Sequence, residues 1–272
     1  MAWGLEGVSV KYGRRRALDD VTFEVVPGGV LALVGGDGAG KTTALKSLVG
    51  LVRAASGRVH RPATERIGVV PTTSGVYPDL TASENLEFAA RAYRVPKKEA
   101  ARRAGDLLES TGLTAARDRL GAHLSGGMRR KLALAMGLIH EPDLLVLDEV
   151  TTGVDPVSRA EIWRLIARAV AHGSAAVVAT TYLDEAERAA SLVVLHEGRA
   201  LLSGTPAEAI ASVPGAVFEL SGRPHTPDSW RRGTRWRTWA PADRPPDGGR
   251  LIDHDLQDAV IVAALRERGE AA

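Results

Sequence analysis

Short apolar runs alternate along the chain with longer stretches in which apolar residues recur every three or four positions. The short runs are typical of strands buried on both faces of a parallel sheet. The longer stretches are typical of amphipathic helices. The predicted strands are Leu5–Val10, Val21–Val26, Val30–Val34, Arg66–Val70, Leu144–Leu147, Ala175–Ala179, Leu192–Leu195 and Ala200–Leu202. This alternation predicts an α/β fold whose sheet contains parallel strands.

Capping and proline signals mark where the predicted helices begin. Thr81 and Glu84 have the spacing of a capping box. Proline fits the first turn of a helix because its missing N–H has no partner there. The predicted helices are 43–49, 83–93, 96 to about 108, 124 to about 139, one starting at Pro156, and 255–268. The stretch of about residues 73–123 has helical patterning and little strand character, so we expect a helical subdomain there.

The character of the sequence changes beyond Pro214. Proline, glycine, arginine and tryptophan are frequent up to about Leu251, and a last helical pattern follows. A change of this kind marks a boundary between structural units. We therefore predict a main domain over residues 1–214 and a small C-terminal accessory region over residues 215–272.

Composition and charge exclude several classes of protein. The 272 residues are 44% hydrophobic, which is enough for a core and excludes a disordered chain. Cysteine is absent, so disulfide and thiolate chemistry are excluded. The formal net charge of +2 argues against a nucleic-acid binder that depends on bulk charge. No apolar run approaches the roughly 20 residues that span a bilayer. We expect a cytoplasmic protein that reaches the membrane only through a partner.

The stretch Gly35–Thr43 fits the phosphate-binding loop pattern G-x-x-x-x-G-K-[ST]. A predicted strand precedes it and a predicted helix follows it, which is the context that the motif requires. Glycines let backbone N–H groups close on phosphate oxygens, and the N-terminus of the helix adds positive potential. Lys41 would reach the terminal phosphates, and the hydroxyl of Thr42 would bind Mg²⁺. The alternative is an ordinary glycine-rich turn.

Two carboxylates, Asp148 and Glu149, follow the predicted strand Leu144–Leu147. A carboxylate at the end of a strand beside a phosphate loop is placed to hold Mg²⁺. A neighbouring carboxylate is placed to orient or deprotonate an attacking water. The alternative is a pair of acidic residues in a turn with no chemical role.

The segment Leu124–Lys131 has the features of a second anion site. Ser125 supplies a hydroxyl, and Gly126 and Gly127 permit close approach of the backbone at the start of a helix. One nucleotide does not need two such sites from one molecule, so this loop suggests a dimer in which it reaches the nucleotide of its partner. The alternative is that Ser125 is only an N-cap followed by two permissive glycines.

Four motifs stand in a fixed order: Gly35–Thr43, Leu124–Met128, Leu144–Glu149 and Gly153–Pro156. This set resembles the ATP-binding cassette (ABC) ATPases, above all the nucleotide-binding subunits of ABC-2-type exporters of the multidrug and antibiotic efflux group. The resemblance covers about residues 3–212. It implies a P-loop NTPase fold of the ABC type with a helical subdomain. It also implies a head-to-tail dimer that holds two ATP molecules with Mg²⁺, and a membrane-spanning permease that contacts the helical subdomain.

The resemblance also implies a role for each matching residue. Tyr12 would stack on adenine, although a tyrosine that only packs its ring in a turn is the alternative. Lys41 and Glu149 would be catalytic, with Glu149 as the base. The phosphates would be held by Gly35, Gly36, Asp37, Gly38, Ala39, Gly40, Lys41, Thr42 and Thr43. The Mg²⁺ ion would be held by Thr42 and Asp148. Ser125, Gly126 and Gly127 would bind the γ-phosphate of the partner's nucleotide, and Asp155 would lie at the dimer contact.

The chain departs from the family pattern at two functional positions. Thr72 stands where the family usually has glutamine, and Thr181 stands where it usually has histidine. The glutamine would contact Mg²⁺ and water, and the histidine would donate to the γ-phosphate. One preorganised donor is worth about 3–4 kcal/mol in the transition state. We therefore hypothesise that this chain's own site turns over slowly; the alternative function is a non-hydrolysing regulatory partner that completes another subunit's site.

The sequence leaves more than one possibility for the partners of the chain. A homodimer and a heterodimer are both compatible with it. The segment Trp230–Trp239 interleaves aromatic and basic residues and would suit a nucleic-acid surface or an anionic lipid surface. The simpler expectation is an accessory fold with half-buried tryptophans and solvated arginines. An ABC protein acting on ribosomes or DNA would show a second cassette or a long coiled-coil insertion, and we predict no nucleic-acid partner.

Overall fold

The computed structural model describes residues 2–270 apart from 223, 225 and 227. The strands are β1 Trp3–Tyr12, β2 Arg15–Val25, β3 Val30–Val34, β4 Ser56–His60, β5 Ile67–Val70, β6 Leu144–Asp148, β7 Ala175–Thr180, β8 Ser191–His196, β9 Arg199–Gly204, β10 Ala216–Leu220, β11 Ser229–Arg232, β12 Arg235–Ala240 and β13 Arg250–Ile252. The helices are α1 Lys41–Leu48, α2 Ala82–Ala92, α3 Lys97–Ser110, α4 Gly126–Leu138, α5 Pro156–Ala171, α6 Leu183–Ala186, α7 Pro206–Ala211 and α8 Leu256–Glu270.

The central sheet has the strand order β5-β6-β7-β3-β8-β9. The first five strands in this order are parallel neighbours, and β9 joins the edge antiparallel to β8. Val34 at the end of β3 lies level with Thr180, and Asp148 at the end of β6 lies level with Ala179. The carboxyl ends of β3, β6 and β7 therefore meet at one edge of the sheet, where ligands bind in open α/β sheets.

Successive residues of β3 point to opposite faces of the sheet, and both faces are covered. Leu31 and Leu33 pack with α1 and with the antiparallel sheet β2-β1-β4. Ala32 and Val34 pack against the opposite layer, which includes Leu256 of α8. Burial on both faces explains why the strand reads as a continuous apolar run in the sequence.

The first hairpin is longer than the sequence pattern predicts. The sequence pattern predicts strands over Leu5–Val10 and Val21–Val26, but β1 extends to Tyr12 and β2 begins at Arg15. These end residues are polar and exposed, so they have no apolar alternation to mark them as strand. The strand β4 was missed for the same reason, because most of its five residues are exposed.

The helical stretch contains α2, α3 and two short 3₁₀ turns. The predicted capping box is confirmed: the Thr81 hydroxyl accepts from the Glu84 N–H at 3.2 Å, and the Glu84 carboxylate accepts from the Thr81 N–H at 2.7 Å. Leu86 and Leu108 share a buried cluster with Leu132 of α4. The helix that begins beside Ser125 thus forms part of the core of the helical region.

The C-terminal stretch forms an antiparallel sheet with the order β11-β12-β10-β13, followed by α8. The predicted helix 255–268 corresponds to α8, but the four strands were not predicted. Val217 of β10 and Val262 of α8 pack in the same buried cluster as Val194 of the central sheet. The C-terminal part therefore rests against the main sheet. The placing of a domain boundary at residue 214 stays a prediction, and residues 223, 225, 227, 271 and 272 lie outside the described residues.

The Trp/Arg-rich segment folds onto a buried carboxylate. Asp258 is 0% exposed and accepts hydrogen bonds from the Trp230 indole at 3.2 Å and from the Arg232 and Arg237 guanidinium groups. The tryptophans are half-buried as expected. The expectation of solvated arginines is wrong for Arg232 and Arg237, because both charges are used to neutralise Asp258. An ion pair with Arg232 also lowers the pKa of Asp255 to about 2.

Among the described residues, no helix is both long enough and apolar enough to cross a membrane.

A buried histidine joins the end of α4 to α2. The ring of His140 stacks on Tyr93 with the centroids 3.5 Å apart and the planes 2° apart. The Tyr93 hydroxyl donates to the carbonyl of Ile67 in β5 at 3.1 Å. Burial lowers the pKa of His140 to about 4, because the charged imidazolium is disfavoured there.

We predict that His140 makes the stability of this protein fall in mild acid. Between pH 6.5 and 4 the unfolded histidine binds a proton and the folded one does not, so stability is lost as the pH falls. At pH 5 the loss from this group is about 1–2 kcal/mol. Urea unfolding at pH 7.5 and pH 5 should show this loss in the wild type and its absence in His140→Phe, which keeps the stacking. Equal pH dependence of the two proteins would contradict the prediction.

Candidate nucleotide site

The predicted phosphate loop lies at the edge where the parallel strands end. It leaves β3 at Val34 and enters α1 at Lys41, and no side chain caps the N-terminus of α1. Gly38 has a φ of +77°, and a side chain added at Gly36 or Gly38 would meet no atom within 4 Å. The loop is therefore open toward solvent, with the uncapped N–H groups of the helix available for an anion.

A cleft of about 650 Å³ opens over this loop. Its lining residues are Tyr12, Arg15, Arg16, Ala17, Gly36, Asp37, Gly38, Ala39, Gly40, Lys41, Thr42, Thr43, Glu149 and Glu197. The structure thus gathers Tyr12, most of the predicted phosphate-loop residues and Glu149 around one space. Gly35 lies beneath the cleft, where an added side chain would come within 2.5 Å of the Leu195 carbonyl oxygen. Only glycine fits at this close approach without a shift of the backbone.

The ammonium group of Lys41 is held inside the cleft. Lys41 is 5% exposed, and Nζ donates to the carbonyl oxygens of Gly35 at 2.7 Å and Gly36 at 3.1 Å. It also pairs with Oε1 of Glu149 at 3.2 Å. These contacts keep a buried positive charge at the mouth of α1, where phosphate oxygens would replace the carbonyl and carboxylate partners.

Asp148 and Thr42 are suited to hold Mg²⁺. The Thr42 hydroxyl donates to Oδ2 of Asp148 at 3.0 Å, across 106 positions of sequence. Asp148 is 8% exposed, and its Oδ1 is buried with no hydrogen-bond partner. An unpartnered buried carboxylate oxygen is costly unless it binds a ligand. A hydroxyl and a carboxylate are also the oxygen donors that Mg²⁺ prefers, so the residues fit the ion.

Glu149 is turned toward the cleft by an unusual backbone conformation. Its φ is +53°, in the left-handed region that costs a non-glycine residue about 1–3 kcal/mol. The backbone N–H of Glu149 is fixed by the carbonyl of Ala179 in β7 at 3.0 Å. This turn lets Asp148 and Glu149, although adjacent, face Thr42 and Lys41 respectively. The Glu149 carboxylate therefore lines the cleft beside Lys41.

Three charged residues of the cleft were missed by sequence reasoning. Arg15 and Arg16 belong to the start of β2, and Glu197 lies in the turn between β8 and β9. Arg16 pairs with Asp19 at 2.5 Å. The basic run 14–16 was visible in the sequence, but only the fold brings it beside the phosphate loop. Tyr12 is 50% exposed at the same rim, which leaves its ring free to contact a base.

The loop from Ser125 to Gly127 does not line the cleft of its own chain. The Ser125 hydroxyl accepts from the Met128 N–H at 3.2 Å, so it does cap α4. A side chain at Gly127 would come within 2.7 Å of the Ser158 hydroxyl, which makes this glycine necessary for packing against α5. A side chain at Gly126 would meet no atom within 4 Å. Gly126 and Ser125 are exposed and thus accessible to a second molecule.

Comparison with known proteins decides the family. A family model described as "ABC transporter" matches residues 18–152. The Nod factor export ATP-binding protein I of Paraburkholderia xenovorans (strain LB400) is 37% identical over an alignment of 227 residues, which covers 79% of this chain and 75% of that protein. The chain belongs to the ABC transporter family.

Further similar proteins agree with this assignment. The Daunorubicin resistance ATP-binding protein DrrA2 of Streptomyces coeruleorubidus is 41% identical over an alignment of 212 residues, which covers 74% of this chain and 66% of that protein. A solved structure titled "Structure of ATP binding subunit of ABC transporter" superposes with a TM-score of 0.71 at 31% identity, covering 78% of this chain and 92% of that one. The expected P-loop NTPase fold of the ABC type is confirmed, and this chain is an ATP-binding subunit.

In this ABC subunit, the residue implied for the dimer contact has a second role. The backbone N–H groups of Val157 and Ser158 each donate to the Asp155 carboxylate, at 3.1 and 3.0 Å respectively. Asp155 is therefore the N-cap of α5. The hydrogen bonds from Ser158 hold the pKa of Asp155 below its ordinary range. Because Ser158 also packs on Gly127, the Gly153–Pro156 loop and the Ser125–Gly127 loop are neighbours in this ABC subunit.

A buried glutamate connects two loops beside the cleft. Glu185 is fully buried, and Oε2 accepts from the hydroxyls of Thr180 at 2.7 Å and Thr151 at 3.0 Å. Thr151 follows the Asp148–Glu149 pair, and Thr180 precedes Thr181. Glu185 thus links the carboxyl end of β7 to the loop that follows the carboxyl end of β6. Sequence reasoning missed Glu185, since nothing in its local sequence distinguishes a buried acid from an exposed one; Thr181 itself is exposed.

Proposed function

We propose that this chain binds Mg-ATP and hydrolyses it to drive export through a separate membrane-spanning permease of the ABC-2 type. The observation that carries the proposal is the meeting of Lys41, Thr42, Asp148 and Glu149 at one edge of the sheet, with Asp148 Oδ1 unpartnered. Relatives named for Nod factor export and for daunorubicin resistance support the direction of transport. The proposal also assigns residues 1–214 to the ATPase domain and residues 215–272 to an accessory region.

Each residue of the site has a role in this proposal. Tyr12 stacks on the base, and residues 35–43 surround the phosphates, with Lys41 on the terminal ones. Thr42 and Asp148 hold Mg²⁺, which offsets phosphate charge when bound. Glu149 orients the attacking water and accepts its proton. Ser125, Gly126 and Gly127 complete the site of a second ABC subunit, and the intact Glu149 gives no support to a non-hydrolysing regulatory partner.

We propose that the permease contacts the helical subdomain at an exposed aromatic pair. Tyr77 and Phe88 are exposed, with ring centroids 4.6 Å apart in an edge-to-face contact. Tyr77 belongs to the loop that leads from β5 to α2, so the surface adjoins the route to the nucleotide site. Exposed aromatic pairs are typical of protein interfaces.

The experiment is copurification from membranes. We expect the full chain to copurify with one polytopic membrane protein, and we expect Phe88→Glu to lower the recovered complex at least about tenfold, because a charge would be buried at the contact. Leu251→Glu is the matched control, since Leu251 is also exposed but lies in the C-terminal sheet. Recovery of the chain from the soluble fraction alone, with no membrane protein attached, would refute the proposal.

We further propose that turnover at this chain's own cleft is slow because the hydroxyl of Thr181 is on a shorter side chain than the histidine that would donate to the γ-phosphate. Thr181 follows β7 directly, at the same edge as Glu149 and the phosphate loop. Restoring the donor with Thr181→His should raise single-turnover hydrolysis by about 10- to 100-fold. Thr181→Leu is the control for size, because leucine has no hydrogen-bond donor. Ordinary turnover in the wild type, unchanged in both variants and in Thr181→Ala, would contradict the slow-site proposal.

A further inference from the structure

One arginine of the helix α4 crosses to the loop that follows β5. Arg130 lies five residues after Ser125 and is half-buried. Its Nη1 donates to the carbonyl oxygen of Thr72 at 2.5 Å and more distantly to that of Pro71 at 3.5 Å. A side chain on the helix next to the Ser125–Gly127 loop therefore fixes the backbone of the residue that replaces the usual glutamine.

The same guanidinium acts on the metal-binding edge of the cleft. Strands β5 and β6 are parallel neighbours, so Thr72 and the Asp148–Glu149 pair leave the sheet at the same edge. Burial lowers the pKa of Arg130, and the negative charges of Glu149 and Asp148 oppose that lowering. In the part of the chain that the structure describes, no carboxylate lies within the 4.0 Å ion-pair distance of Arg130. Its charge thus reaches the two carboxylates through space.

We propose that Arg130 is a positioning residue for ATP hydrolysis, linking the helix behind the Ser125–Gly127 loop to the metal and water end of this chain's cleft. The proposal rests on the proposed function, because hydrolysis is the reaction that is positioned. The contact with Thr72 keeps the loop after β5 beside Asp148 and Glu149. A shift of α4, which carries the loop that binds the partner's nucleotide, would move Thr72 with it.

The charge of Arg130 has a separate and opposite consequence for the metal. A positive charge near Asp148 disfavours Mg²⁺, so its removal should strengthen Mg²⁺ binding. Loss of the Thr72 contact should at the same time weaken hydrolysis. A residue that only packs α4 would not give tighter metal binding together with slower hydrolysis.

The test uses the full chain, stripped of metal and loaded with a fluorescent ATP analogue, and titrated with Mg²⁺. In Arg130→Gln we expect the Mg²⁺ concentration at half-saturation to fall at least about threefold. Single-turnover hydrolysis should fall about tenfold, with ATP affinity and Tm close to those of the wild type. Arg130→Lys should keep the wild-type Mg²⁺ half-saturation, because the charge remains. Arg164→Gln is the control, since it removes an equal charge from an exposed position of α5.

The Mg²⁺ titration tests the effect of the Arg130 charge, and single-turnover hydrolysis tests the contact with Thr72. Tighter Mg²⁺ binding with unchanged hydrolysis in Arg130→Gln would overturn the positioning role. An Arg130→Gln protein that behaves like Arg164→Gln in the titration would overturn the proposal, and so would weaker Mg²⁺ binding accompanied by a lower Tm, which indicates a structural role. Failure of the proposed function is a different result, because it would show as absence of the membrane partner while the Mg²⁺ response remains.

Discussion

Lys41→Ala should lower the affinity of this protein for ATP at least about tenfold and its hydrolysis about 10²- to 10³-fold. Lys41 places a buried ammonium at the entrance of α1, where two carbonyl oxygens and the Glu149 carboxylate are its partners. Bound phosphates would exchange these contacts for stronger charge-assisted ones. Calorimetric titration with Mg-ATP measures the first effect, and phosphate release from the assembled complex measures the second.

Lys46→Ala provides the control for the Lys41 experiment. Lys46 lies on the same helix but is exposed, in the last turn, away from the phosphates. It should bind ATP like the wild type. If Lys41→Ala keeps both its affinity for ATP and its nucleotide-dependent dimerisation, the assignment of the phosphate site, and the transport role that depends on it, would be lost.

The parts of the site that the sequence predicts are those built from consecutive residues. The phosphate loop is such a part, because its glycines, its lysine and its threonine act through one strand, one turn and one helix start. The Asp148–Glu149 pair is another, since a buried strand ending in two acids is visible without knowing the fold. What the sequence does not contain is the left-handed turn at Glu149, which depends on the Ala179 carbonyl of a neighbouring strand.

The parts that escaped prediction depend on long-range contacts. In the sequence Glu185 resembles any other glutamate, and only the fold brings Thr151 and Thr180 to its carboxylate. Arg130 is one of three consecutive basic residues, and only the fold brings it into contact with Thr72. Patterning fails for β12 because a charged residue of that strand faces inward. Arg237 pairs there with the buried Asp258 of α8, and apolar periodicity cannot reveal such a contact.

The packing of Gly127 on Ser158 joins two loops that face outward. One carries Ser125, and the other begins at Gly153 and is closed by the Asp155 cap. Neither loop contributes to the cleft of its own chain. Because the two exposed loops pack against each other, the surface they form is already ordered in the single chain. Such preorganisation lowers the entropic cost of forming a dimer contact.

Ser125→Arg should abolish the ATPase activity of the complex, by at least about 10²-fold, while ATP binding to this chain's own cleft persists. The substitution places a long cation beside Gly126, on the open surface that would meet the partner's nucleotide, and it removes a hydroxyl and its cap on α4. The loss of the cap alone costs about 1 kcal/mol. Phosphate release from the complex and titration of the isolated chain with ATP measure the two effects.

Thr205→Ala separates the loss of a helix cap from the loss of the shared site. Thr205 caps α7 through the N–H of Glu208 at 3.2 Å, as Ser125 caps α4, but it lies outside both loops. Thr205→Ala should therefore lower Tm by a similar amount and leave the ATPase activity intact. In a heterodimer, Ser125→Arg should silence the partner's site and spare this chain's slower one; in a homodimer, both sites should stop. Full activity of the Ser125→Arg complex would show that this loop does not reach a nucleotide.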